Sequence, residues 1–147
     1  MFGWHHREEH IPIIFISYFR AVEGMRIYVA HKQGADFQDE LYAKLRQSAL
    51  NTEHTIILPH EQIGVSFDSK QLLHQGIDVM IAEVTFHAIG VGMEIAYADV
   101  FGVPLLCVYR NGSKPSNSAL QKAKKVIEYE TIEGLISDIE KLLPEFQ

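Results

Sequence analysis

The chain has 147 residues, 47% of them hydrophobic and 22% charged, with a formal net charge of −6. That length and balance fit one folded domain with a full core and exclude extensive disorder. The acidic charge, with no basic block beyond Lys122-Lys124-Lys125, argues against a nucleic-acid backbone as partner, and a lone cysteine, Cys107, excludes a disulfide framework and points to a reducing cytoplasm.

Residues Met1 to Gly24 carry His5, His6 and His10 and then the apolar run Ile11 to Ile16. The run is too short to span a bilayer and lacks the basic start and small-residue cleavage site of a secretory signal, so no membrane partner is expected. This stretch reads as an extension outside the main fold, an extra strand or a covering arm, with the folded domain over 25–147. Arg26 to Ala30 reads as a first strand, followed by the loop His31-Lys32-Gln33-Gly34. Asp36 is placed to cap the next helix, whose Phe37, Leu41, Leu45 and Leu50 recur at helical spacing. Asp39, Glu40 and Lys44 form its solvated face.

His54 to Leu58 is a second strand stopped by Pro59, and a helix is expected over Ser66 to Gln75. Ile77 to Val84 is apolar on nearly every residue, as a strand covered on both faces would be. A helix carrying Glu94 follows, then a strand at Pro104 to Tyr109, a polar loop, and a short helix. A fifth strand at Val126 to Tyr129 and an amphipathic helix over Ile132 to Leu143 complete the pattern. Alternating strands and helices predict a parallel sheet with helices on both sides. Five strands fit the order 2-1-3-4-5, which brings the loops after Ala30 and Val84 together at one crevice.

The residues placed at that crevice are His31, Lys32, Glu83, His87 and Glu94, with His60 and Glu61 from the loop after strand two. Gly90 and Gly92 bracket Val91 in what reads as a turn that lets a ligand approach backbone N–H groups. Glu94 then falls in the first turn of its helix, where the dipole favours the ionised form. An ionised carboxylate held at a ligand crevice suits covalent glycosyl transfer; equally, a solvated glutamate there would only complement the dipole. Glu83, near the end of a buried strand, is read as a structural partner for a backbone donor or basic side chain. His31, His60 and His87 lack metal-ligand spacing, so no metal and no other cofactor is expected.

The pattern D-x-x-I-A-E-V over Asp78 to Val84, followed by G-x-G-x-E-I-x-x-A from Gly90 to Ala98, resembles the nucleoside 2-deoxyribosyltransferase superfamily. That group includes the 2′-deoxynucleoside 5′-monophosphate N-glycosidases. The likeness runs back to Arg26-Ile27-Tyr28-Val29-Ala30 and forward through Gly102 to Leu106 and the serine loop Lys114 to Leu120. It implies a flavodoxin-like three-layer α/β fold and a small nucleoside or nucleotide as partner. By this resemblance Glu94 matches the nucleophile and Tyr28 the tyrosine that sets it, while Ser118 matches a serine that a neighbouring subunit lends to bind phosphate. A homo-oligomer is therefore implied.

The chain departs from the pattern at three places. Lys70 stands where the family usually has an aspartate, with Asp68 the nearest acid. His31-Lys32-Gln33 replaces a glycine- and serine-containing loop, and His87-Ala88 replaces proline-serine. The departures leave two readings. In one, His31, His87 or Asp68 supplies the proton for the leaving base and Lys32 attracts a phosphate; in the other, the chain binds a nucleotide or nucleotide-sugar without turning it over.

Overall fold

A computed structural model describes residues 24–147. The elements are β1 (Arg26–Ala30), α1 (Gln38–Gln47), α2 (Ala49–Glu53), β2 (Thr55–Ile57), α3 (Ser69–His74), β3 (Val79–Glu83), α4 (Ile89–Val100), β4 (Leu105–Arg110), α5 (Asn117–Lys122), β5 (Lys125–Tyr129) and α6 (Ile132–Leu142). A 3-10 turn over Leu143–Phe146 follows. The strands form one sheet in the order β2-β1-β3-β4-β5, every neighbouring pair parallel, as the alternation of elements predicted. The reading of the first 24 residues as an extension or covering arm lies outside the described residues, apart from Gly24.

Period-two alternation sends successive side chains to opposite faces and divides the core in two. Ile27, Val29, Val79, Ile81, Leu106 and Val108 pack under α1, α2 and α6, with Leu41, Leu45, Leu50, Leu135 and Ile139. Tyr28, Ala30, Met80, Ala82, Leu105 and Cys107 pack under α3, α4 and α5, with Leu73, Val91, Ile95 and Ala98. Both faces of the central strands are therefore covered, which explains their unbroken apolar sequence.

Several local expectations are corrected. Gly90 and Gly92 lie inside α4 and not in a turn, because helical backbone begins at Ile89 after the extended residue Ala88. Glu94 accordingly sits in the second turn, beyond the strongest reach of the helix dipole. Asp36 does not cap α1: the N-cap is Phe37, without a side-chain bond, and the nearby Gly34 N–H donates to the Gln38 side chain instead. The helix expected from Ser66 begins at Ser69, since Asp68 is its N-cap and accepts from the Gln71 N–H at 3.0 Å. Lys44 reaches Glu133 of α6 at 2.9 Å, so part of the supposed solvated face is a cross-helix tie.

The far end of α4 stops at Gly102, whose φ of +70° is the left-handed conformation that glycine adopts without strain. Gly102 N–H bonds to Asp99 O and Val103 N–H to Ala98 O, the paired bonds of a Schellman stop. This fixes where α4 ends and hence which of its residues turn inward.

Candidate active site

Two carboxyl groups are buried at the carboxyl end of the sheet, one on each face. Glu83 ends β3 on the α1/α6 side and is 1% exposed. Its Oε1 accepts from the Thr85 N–H at 3.1 Å, from the Thr85 hydroxyl, and from the Tyr129 hydroxyl at 3.3 Å. Burial raises its pKa, while these donors and nearby Arg110 work against the rise. Thr85 also accepts from the Arg110 N–H at 2.9 Å, so Glu83 pins the start of the β3–α4 connection to β4. The bonds to Oε1 are those of the structural partner that the sequence suggested, while Oε2 is buried with no hydrogen-bond partner among the described residues.

Glu94 lies on the opposite face. It is 9% exposed, which corrects the solvated reading, and its Oε2 has no hydrogen-bond partner among the described residues. The hydroxyl of Tyr28, a fully buried residue of β1, is likewise without one. Burial pushes the Glu94 pKa up, and the Tyr28 hydroxyl, close enough to act on it though not in a hydrogen bond of normal geometry, pulls the other way. Tyr28 in turn is held protonated by burial and by the Glu94 charge. Two buried polar atoms without partners, side by side on one face of the sheet, are expensive unless something polar binds them.

Around this pair stand residues that the sequence did not single out. The Phe67 ring lies 6.1 Å from the Tyr28 ring, and Ser69, in the first turn of α3, acts on the Tyr28 hydroxyl. Tyr42 of α1, buried, has its pKa pushed up to about 12 by burial, with Glu94 among the lesser causes. Phe67 was visible as the one aromatic in a polar loop just before a helix. Tyr42 fell outside the apolar spacing of α1.

The remaining sequence candidates are distributed as follows. His31 is 2% exposed; its Nδ1 donates to Lys32 O at 2.9 Å, which leaves Nε2 to accept from the Tyr42 hydroxyl. The Tyr42 oxygen accepts from the His60 N–H at 3.3 Å, and the His31 and His60 rings meet edge to face at 5.6 Å. Burial lowers the His31 pKa. His31 thus knits β1 to α1 and to the loop after β2, a placement that differs from an open ligand contact.

Lys32 lies over the Phe86 ring at 5.3 Å, Phe86 stacks on Phe37 at 6.0 Å, and Arg110 lies over the other ring at 4.6 Å. The loops after β1 and β3 do meet, as predicted, through this stack. Lys70 lies 6.0 Å over Tyr97 of α4. Asp68 is exposed and engaged as a cap, beside Phe67 and Ser69.

His87, Ser118 and Gly92 line a separate cavity of about 480 Å³ between α4 and α5, walled by Val91, Ile95 and Ala119; neither Glu94 nor Tyr28 lines it. His87 is bonded through Nε2 to Lys114 O at 3.0 Å. Gly90 is exposed on α4, with open space where a Cβ would be. Within one chain, therefore, Tyr28 and Glu94 come together and Asp68 flanks them, while His87 and Ser118 belong to the other side of α4.

Among the described residues no three of His, Cys, Asp or Glu gather as metal ligands. Each lysine of the Lys122-Lys124-Lys125 block is engaged: with Asp99 at 2.8 Å, with Glu145 O at 2.7 Å, and with the Glu145 carboxylate at 3.6 Å. No helix among the described residues is long and apolar enough to cross a membrane.

The fold and this pair define a doubly wound α/β protein with a buried tyrosine–glutamate couple at the ligand edge of its sheet. Among known proteins, the chain is 32% identical over 101 residues to the 5-hydroxymethyl-dUMP N-hydrolase of Rattus norvegicus, a match covering 60% of this chain and 62% of the rat protein. It is 44% identical over 43 residues to a Syntrophotalea carbinolica protein assigned as a 2′-deoxynucleoside 5′-phosphate N-hydrolase, covering 29% of this chain and 30% of that one. The chain thus spans under two thirds of the length of these curated relatives.

Among solved structures, the CMP N-glycosidase of Clostridium botulinum superposes with a TM-score of 0.59 at 12% identity, over 79% of this chain and 98% of that one. A 2-deoxyribosyltransferase of Bacillus psychrosaccharolyticus does so at 0.55 and 15%, over 76% and 90%. No protein-family profile matches the sequence. These likenesses bear out the resemblance to the nucleoside 2-deoxyribosyltransferase superfamily that the Asp78–Ala98 pattern carries.

Proposed function

We propose that the protein cleaves or exchanges the N-glycosidic bond of a deoxynucleoside or its 5′-monophosphate, with Glu94 as nucleophile. The observation that carries this reading is the partnerless Glu94 Oε2 of α4 beside the partnerless Tyr28 hydroxyl of β1, both buried on one face of the sheet. A Glu94 carboxylate oxygen bonds to the anomeric carbon as the carbon–nitrogen bond breaks. The bonding pair leaves with the base, which takes a proton from Asp68, the acid beside Phe67 and Ser69. The resulting glycosyl ester passes to water in a hydrolase or to a second base in a transferase. Tyr28 orients the carboxylate. Ser118, and with it the cavity lined by His87 and Gly92, serves a second copy of the chain in a homo-oligomer, and Lys32 and His31 shape the rim on the other side. The compartment that suits the buried Cys107 thiol is the cytoplasm.

Chromatography of free base after incubation with deoxynucleosides and their 5′-monophosphates, with and without an acceptor base, tests the reading. Base release by the native chain and its loss in Glu94→Ala is the expected result; silence across the panel would sink it. One observation favours a second reading, a binding module without turnover. Lys70 replaces the family's usual acid and lies against Tyr97, and the nearest acid, Asp68, is engaged as a cap. That reading requires nucleotides to raise the melting temperature in native and Glu94→Ala protein alike, with no base released.

A further inference from the structure

The helix that carries Glu94 begins without the residues that ordinarily start one. Ala88, its N-cap, offers no side-chain bond, and Gly90 and Gly92 fall in its first turn. Glycine is among the poorest helix formers, and a bare cap leaves the first N–H groups of a helix unsatisfied. The Glu94 carboxylate adds no tie through Oε2, which has no partner among the described residues. Its place beside Tyr28 is therefore set by where α4 is held. The far end is held at Gly102, and the near end by the residues Val84 to His87.

Each of those residues is fastened. Val84 N–H donates to Val108 O at 2.9 Å. Thr85 donates to Glu83 Oε1 through both its N–H and its hydroxyl, and the hydroxyl oxygen accepts from the Arg110 N–H at 2.9 Å. The Phe86 ring stacks on Phe37 at 6.0 Å, with Lys32 over one ring and Arg110 over the other. His87 Nε2 donates to Lys114 O at 3.0 Å. Thr85 is the centre of this cluster, since Glu83 Oε1 also accepts from the Tyr129 hydroxyl of β5 at 3.3 Å. A buried carboxyl whose second oxygen lacks a partner is a costly way to stabilise a strand end. An apolar side chain would fill the place without that penalty, but it could not fix the direction in which the chain leaves β3.

We propose that Glu83 and Thr85 are positioning residues for the candidate reaction. They set the path of the β3–α4 connection and, through it, the placement of the Glu94 carboxylate against the Tyr28 hydroxyl on the opposite face of the sheet. The consequence for turnover rests on the N-glycosyl reading above; the placement itself does not. A nucleophile displaced by about 1 Å loses its alignment with the anomeric carbon, so the loss falls on the chemical step.

The coupling between Tyr28 and Glu94 is the readout, because a residue that only stabilises the fold would leave it unchanged. Tyr28 of β1 and, to a lesser degree, Tyr42 of α1 are the titratable groups that bear on Glu94. The Glu94 carboxyl carbon is followed by NMR through a pH titration in native protein, Tyr28→Phe, Thr85→Val and the double variant. Its signal is assigned by its absence in Glu94→Gln. Tyr28→Phe should move the Glu94 midpoint upward in native protein, and by less than about half as much in the Thr85→Val background. For base release, Thr85→Val should lower kcat about tenfold or more while KM stays within about twofold. Thr85→Ser, which keeps the hydroxyl, should restore both readouts. Glu83→Leu, which keeps the bulk and removes the acceptor, should repeat the Thr85→Val result and serves if that variant does not fold. An equal effect of Tyr28→Phe in both backgrounds, or a native kcat in folded Thr85→Val, overturns the proposal. Loss of the coupling with no base released by native protein keeps the positioning and removes the reaction.

Discussion

Glu94 combines burial, a partnerless oxygen and a nearby phenol, and its titration should report all three. An unfolded chain ionises a glutamate near the ordinary value of about 4.3. The folded chain holds the Glu94 proton to higher pH, because burial outweighs the Tyr28 hydroxyl. Between those two values the folded state binds more protons than the unfolded one. The stability that Glu94 contributes is complete below the unfolded pKa and is lost as pH rises through the folded one. Glu94→Gln removes that loss, so thermal melting should show the variant more stable than native protein at pH 8, with the difference shrinking towards pH 4. Buried Glu83 has the same sign but is untouched by this substitution, so the comparison isolates Glu94. Attack needs the ionised form, so kcat/KM for base release should rise with pH along a limb above the usual carboxylate range. Tyr28→Phe removes the group that pulls the Glu94 pKa down and should move this limb to higher pH. A limb that stays put would separate Tyr28 from the carboxylate.

At the scale of elements, Asp68 shows how a candidate acid can owe its place to helix architecture. Its carboxylate accepts from the Gln71 N–H at the first turn of α3, and replacing such a cap by alanine costs about 1 kcal/mol. Asparagine caps as well as aspartate. Denaturant unfolding should therefore show Asp68→Ala weakened by about that amount and Asp68→Asn near native. If the cap is its whole role, the Asn variant releases base at the native rate. A loss of about a hundredfold in that stable variant would assign Asp68 the proton transfer instead. The strands were legible because a continuous apolar run such as Val79–Ala82 has one stable use, a strand covered on both faces. Helix starts were less so: Gly90-Val91-Gly92 satisfies a turn or a helix equally, and only packing against β3 and β4 selects the helix. For the same reason the sequence placed Glu94 at the crevice, drew Tyr28 in only through the family resemblance, and passed over Tyr42, Phe67 and Ser69. Their approach to the pair depends on how α1 and α3 lie across the sheet, which no local spacing encodes.

At the scale of the whole molecule, one helix face has no partner among the described residues. Along α4, Ile89, Met93 and Val100 are each more than half exposed, beside the apolar cavity that holds His87 and Ser118. An apolar stripe contiguous with an apolar groove on a single chain suits a two-fold pairing of identical copies, in which each surface covers its counterpart. The same pairing gives the proposed role of Ser118 a geometry, because Ser118 lies on the far side of α4 from Glu94 in its own chain. If Ser118 acts across the interface, its loss and the loss of Glu94 fall on different sites of a mixed dimer. A Ser118→Ala chain retains Glu94, and a Glu94→Ala chain retains Ser118, so a dimer of the two contains one complete site. Random mixing makes half of the dimers mixed, each with one working site of two, so equal mixing should restore about a quarter of native base release from two crippled proteins. The recovery should require subunit exchange and disappear at dilutions where light scattering reports monomers. If mixing gives only the average of the two variants, Ser118 acts within its own chain or not at all, and the α4 face has some other use.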